Sequence, residues 1–149
     1  MYKRQICLNG LSSVASVAKL DFYRQTGDNY TGKWIAGEFN EENERQRTPV
    51  DIVLAADIIC QPEDAVAAAK TIYDALIPGG VAYVICANEK HRFGVGTFAR
   101  ECEKVNLKAK QANVKEMYDG NLLTESMESA AGFVDGMNLT FFEVVKYKK

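Results

Sequence analysis

Val50 to Cys60, VDIVLAADIIC, is the stretch whose reading decides the fold. Residues 50 to 56 are nearly continuously apolar and rich in β-branched and small side chains, the pattern of a strand covered on both faces in a parallel sheet. A carboxylate inside such a run would lose its water without compensation. Asp57 is therefore expected where the strand ends, at the rim of the sheet, with Ile58 and Ile59 in the following loop or at the start of the next element.

Downstream, Gln61-Pro62-Glu63-Asp64 opens a helix, with proline in the first turn and acids where the positive helix end favours them. Val66, Ala69, Ile72, Tyr73 and Leu76 recur at helical spacing, and Pro78-Gly79-Gly80 is read as the stop. VAYVICA, residues 81 to 87, reads as a second buried strand, followed by a helix from Thr97 to Lys104 and a strand from about Leu107 to Met117. Leu139 to Tyr147 reads as a last strand, antiparallel to the one before it. Upstream, residues 14 to 22 suit a strand closed by Leu20-Asp21-Phe22, and residues 23 to 49 form a polar, glycine-punctuated excursion with a small hairpin around Tyr30 to Phe39. Alternating strands and helices predict an α/β sheet with right-handed crossovers and helices on both faces, a three-layer sandwich.

The 149 residues make one domain, 47% apolar and 26% charged, an ordinary globular composition. A net charge of -2 gives no basic footprint, which argues against nucleic acid or an anionic membrane as the partner. MYKRQICLNG lacks the apolar centre of a signal peptide, so a cytoplasmic location is expected, with the nucleus as the alternative. The four cysteines, Cys7, Cys60, Cys86 and Cys102, show neither zinc spacing nor a disulfide framework; they are read as reduced and mostly packed, and no metal is expected.

In sheets of this kind binding groups stand just beyond the carboxyl ends of the strands, where Asp21 and Asp57 both fall. Gly94-Val95-Gly96-Thr97-Phe98-Ala99 matches the dinucleotide pattern G-x-G-x-x-G/A, the basis of an oxidoreductase alternative. Asn88 to Phe93 separate it from its strand, however, and it is read as a lead into a helix. His91, the single histidine, has no nucleophile at a triad spacing and reads as a loop residue.

Taken together, Leu20-Asp21-Phe22, Asp51 to Cys60, the helix, Leu76-Ile77-Pro78-Gly79-Gly80 and Val81 to Ala87 resemble the second half of a seven-strand S-adenosylmethionine-dependent methyltransferase. The likeness is greatest to the protein lysine methyltransferases often called family 16. There the third strand ends in L-D-W, the fourth carries D-x-V-x-A-x-D-x-x-Y, and L-x-P-G-G introduces the fifth. Leu8-Asn9-Gly10-Leu11 looks like the end of the helix preceding the third strand.

The resemblance implies a Rossmann-like methyltransferase domain over residues 1 to 149, with S-adenosylmethionine as cofactor and a protein lysine as acceptor. It implies Asp21 on the adenine amino group, Phe22 beside that ring, Ala55 and Ala56 where the backbone nears the cofactor, and Asp57 facing the acceptor amine. Cys60 stands where the family has an aromatic wall beside that amine. The family's first two strands and glycine-rich loop would precede Leu8, so the fold is expected to be N-terminally incomplete. That leaves residues 14 to 22 without a partner and the edge of residues 50 to 56 bare. Either the chain is part of a longer one, or it repairs the edge by rearranged pairing or by self-association. A non-catalytic scaffold that kept the sheet and lost the cofactor site is the alternative function.

Overall fold

The computed structural model describes residues 2–15, 18–21, 33–36, 49–113 and 138–148. The chain divides into two compact units, residues 1–47 and 48–149.

In the first unit, α1 (Tyr2–Leu8) is followed by β1 (Ala18–Asp21) and β2 (Lys33–Ala36). The end of α1 is set by Gly10, whose φ of +67° turns the chain left-handed. Its N–H then donates to the carbonyl of Cys7, and that of Leu11 to Ile6, a Schellman closure that glycine adopts without steric cost. β1 and β2 pair antiparallel, Ala18 opposite Ala36 and Asp21 opposite Lys33. The described part of this strand, Ala18–Asp21, has a partner in Lys33–Ala36, a local antiparallel pairing of the rearranged kind.

The second unit contains β3 (Val50–Ala56), α2 (Pro62–Ala75), β4 (Leu76–Ala87), α3 (Val95–Lys104), β5 (Leu107–Asn113) and β6 (Leu139–Lys146). The sheet order is β3-β4-β6-β5, with β3 and β4 parallel and β6 antiparallel to both of its neighbours. The strand latest in sequence thus lies between β4 and β5, and the expected antiparallel relation of the last two strands is present. Pro78-Gly79-Gly80 does not stop the helix. α2 ends at Ala75, and the glycine pair, with φ +85° at Gly79, lies within β4 where the register against β3 slips between Val50 and Ile52.

One face of this sheet carries the core. Val84, Cys86, Phe142 and Val144 point to it and meet Ala65, Ala68, Ala69 and Ile72 of α2 and Val95, Phe98 and Cys102 of α3. Small side chains on α2 let its backbone approach the strands closely. Phe98 and Phe142 pack edge to face with centroids 5.1 Å apart, a geometry adding about 0.5–1.5 kcal/mol beyond the area they bury. Lys146 joins β6 to the end of α2: its Nζ donates to the carbonyls of Tyr73 and Leu76 at 2.6 and 2.8 Å and lies 4.1 Å from the centre of the Tyr73 ring. A cation there satisfies carbonyls that the helix itself leaves open.

The opposite face departs from the sequence reading. Ile52 and Leu54 are 59% and 78% exposed, and Tyr83 and Ile85 of β4 lie beside them on the same face. Among the described residues β3 is therefore covered on one face only, and it is an edge strand, pairing with β4 alone. An apolar run signals a need for two-sided cover; it does not itself provide the second layer.

Candidate functional site

Asp57 stands where the sequence places it, one residue past β3 at the carboxyl ends of the parallel pair β3 and β4. Its N–H donates to the carbonyl of Ile85 at 2.7 Å, extending the ladder by one rung. Its φ is +51°, a left-handed turn that costs a non-glycine residue about 1–2 kcal/mol and that aspartate tolerates better than most. Ile58 and Ile59 run on into the loop, and the buried Ile59 anchors it in the core.

The Asp57 carboxylate faces Arg92. Nε donates to Oδ1 at 3.0 Å and Nη2 to Oδ2 at 2.6 Å, a two-pronged contact. The side chains remain 34% (Arg92) and 50% (Asp57) exposed. Hydrogen bonds from the guanidinium hold the Asp57 carboxyl below its ordinary range, against an opposing push from partial burial. An acid so held stays ionised at neutral pH, so it serves as a fixed negative charge and a poor proton acceptor.

Arg92 is positioned by the turn after β4. Asn88 accepts N–H bonds at its carbonyl from His91 and Arg92, both 3.0 Å, and its Oδ1 accepts from Lys90 at 3.2 Å. Two residues on, the Gly94 N–H donates to the carbonyl of Cys60 at 3.2 Å. A Cβ at Gly94 would lie 2.1 Å from the Gln61 carbonyl oxygen, so the two loops meet backbone to backbone. The glycine stretch from 94 to 99 is accordingly the N-cap and first turns of α3, and its first amide is already given to Cys60.

Of the other residues named from sequence, Ala55 packs half-buried against the core, and Ala56 lies exposed on the bare face opposite Ile85. The Cys60 thiol is exposed, while its N–H and that of Gln61 are held by Asp64 Oδ2 at 2.9 and 2.8 Å. Cys7 is exposed too, so the cysteines divide evenly between surface and core. Burial pushes the thiol of Cys86 up and that of Cys102 to about 12, which leaves both unreactive. Asp21 ends β1 in the first unit, and Phe22 lies outside the described residues. The structure thus joins Asp57 to Arg92 and Cys60 to Gly94; the sequence reading missed both partners. Beyond the carboxyl end of β4, an open hollow of about 390 Å³ is lined by Asn88, Glu89, Lys90, Asn113, Asn138 and Thr140.

No protein-family model and no curated protein matches the sequence. Among solved structures, the chain is similar to a putative sarcosine dimethylglycine methyltransferase from Galdieria sulphuraria, at 8% identity and a TM-score of 0.54, over 97% of this chain and 64% of that one. It is also similar to the [4+2]-cyclase SpnF, at 9% identity and a TM-score of 0.52, over 98% of this chain and 62% of that one. A Haemonchus contortus phosphoethanolamine N-methyltransferase 2, solved with S-adenosyl-L-methionine, matches at 17% identity and a TM-score of 0.40, over 66% of this chain and 33% of that one. The chain therefore spans about a third of the nematode enzyme and under two-thirds of the other two. With β3 and β4 parallel and β6 antiparallel between β4 and β5, the mixed α/β sheet is that of a partial Rossmann-like methyltransferase fold. No described helix is long and apolar enough to cross a membrane.

Proposed function

We propose that this chain supplies the acceptor side of an S-adenosylmethionine-dependent methyltransferase whose acceptor is an amine, a protein lysine in the reading that the sequence resemblance favours. The observation that carries the proposal is Asp57, an ionised and half-exposed carboxylate fixed by a left-handed turn at the carboxyl end of β3. Ala55 and Ala56 before it are small enough for a nucleoside to approach the strand end. The cofactor supplies a methyl group on a sulfonium. The lone pair of the neutral amine forms the N–C bond as the C–S bond breaks, sulfur leaves as a neutral thioether, and the new ammonium releases its proton to water. Asp57 would direct the amine by accepting a hydrogen bond from it; positioning is the main work a protein does in such a displacement.

Calorimetric titration of S-adenosylmethionine and S-adenosylhomocysteine into the longest polypeptide that the gene encodes tests this. Saturable heat at micromolar cofactor is the expected result. Silence at high micromolar cofactor would favour the second reading, a non-catalytic scaffold with a cytoplasmic or nuclear protein partner. The exposed apolar residues Ile52, Leu54, Tyr83 and Ile85 favour that reading, as does the β3 edge, which is unpaired among the described residues and open to self-association.

A further inference from the structure

The Asp57 and Arg92 pair has a chemistry that a lone acceptor-site acid lacks. Arg92 engages the carboxylate through Nε and Nη2, so Nη1 makes no hydrogen bond to a described residue. The Asp57 carboxylate accepts these two bonds and also feels the Ala87 backbone N–H, and its two oxygens still have lone-pair capacity for a further donor. Both side chains remain partly open to water. The pair is also held in place from behind: the Asp57 N–H is fixed to Ile85, and the Arg92 loop is fixed to the Asp57 loop by the Gly94 N–H on Cys60.

We propose that this pair binds an amine that carries its own anionic group, taken up as an ammonium with a carboxylate close beside it; the ammonium gives its proton to water before the neutral nitrogen accepts the methyl group. The inference rests on Asp57 as the acceptor-site acid and narrows the acceptor class. A bare ammonium meets a carboxylate whose charge is already offset by a guanidinium 2.6–3.0 Å away, so little net attraction is left in a solvated setting. A ligand with both charges lies antiparallel along the pair, its ammonium donating to Asp57 and its carboxylate accepting from Nη1 of Arg92. Four alternating charges then adjoin without the internal bridge opening. Arginine is suited to this because its fork can serve two carboxylates at once. Two sources share this chemistry, a free amino acid and a lysine flanked by an acid in a protein.

The test is a nitrogen-15 NMR titration of the full chain, following the Arg92 Nε–H and the Asp57 backbone amide at constant ionic strength. The probes are glycine, methylammonium chloride, sodium acetate, and the capped dipeptides acetyl-Lys-Asp-amide and acetyl-Lys-Asn-amide. At least one doubly charged probe should bind about twofold to fivefold tighter than its singly charged counterpart, the gain of one added exposed ion pair. R92Q should abolish that preference, and D57N, which keeps a residue tolerant of the left-handed turn, should abolish it too. Preference for glycine identifies a free amino acid; preference for the Lys-Asp peptide with glycine inert identifies a lysine in an acidic setting. Equal binding of methylammonium and both doubly charged probes overturns the proposal, as does a preference that survives in R92Q. No methyl donor is needed, so this outcome is independent of the cofactor titration.

Discussion

Gly94→Ala is the perturbation whose size the structure fixes most directly. Gly94 has φ of -72° and ψ of -24°, an ordinary helical conformation, so alanine meets no backbone strain there. What it meets is the neighbouring loop: the new Cβ would lie 2.1 Å from the Gln61 oxygen, 2.6 Å from its carbonyl carbon and 2.8 Å from Ile59 Cγ2. Carbon does not approach within 3.0 Å of such atoms, and 3.0 less 2.1 leaves a 0.9 Å displacement to be found. Gln61 cannot yield it freely, because its N–H is held by Asp64 and Ile59 is fully buried. Overpacking against such neighbours costs about 1–3 kcal/mol, and the upper end applies because the obstacle is backbone. For a domain of this size about 3 kcal/mol lowers Tm by roughly 6–12 °C. Gly96→Ala is the control: its Cβ meets Glu89 Oε2 at 2.7 Å, the far end of an exposed side chain that can swing away, while the helix gains up to about 1 kcal/mol of propensity. Urea unfolding of the two variants should therefore diverge, Gly94→Ala destabilised and Gly96→Ala neutral or stabilised. If both fall within about 0.5 kcal/mol of the parent protein, the loops do not meet as described and the Arg92 frame is wrong.

The Asp57 carboxyl is held below its unfolded value near 3.8, so its contribution is fully present above that pH and fades as pH falls through the folded value; Asp57→Asn should flatten this acid limb. Because the pair is well exposed the effect should stay under about 1 kcal/mol, read from urea midpoints between pH 6 and pH 2. Lys146→Met removes the cation from the Tyr73 and Leu76 carbonyls and should cost about 1–3 kcal/mol in the same assay, with α2 amides losing hydrogen-exchange protection; unchanged protection would show the helix end to be satisfied by water.

The sheet side of this architecture could be read from the chain because burial writes itself locally. The apolar blocks at 50–56 and 81–87 and the polar opening at 61–64 each declare their element within a few residues, and Asp57 follows as the first charge after its strand. Long-range pairings leave no such mark. Arg92 lies 35 positions from Asp57, inside Glu89-Lys90-His91-Arg92, where every charge looks equally solvated. Gly94 looked like flexibility and proved to be a close approach, a distinction that depends on Gln61 across the gap. The slip within β4 was hidden because Pro-Gly-Gly suits a helix stop and a strand irregularity alike. The bare face was hidden because an apolar side chain announces its preference and not what lies opposite it.

The place of β6 sets the order in which the second unit can be completed. Residues 139–146 are made after every other described strand, yet they sit between β4 and β5 and pair with both. On the ribosome β5 has no neighbour until that segment emerges, and the parallel β3-β4 pair waits with one side open. Such non-local closure is slow, and an unclosed sheet attracts stray strands. A nascent chain halted before residue 139 would therefore be a natural client for holding chaperones, whatever the finished protein does.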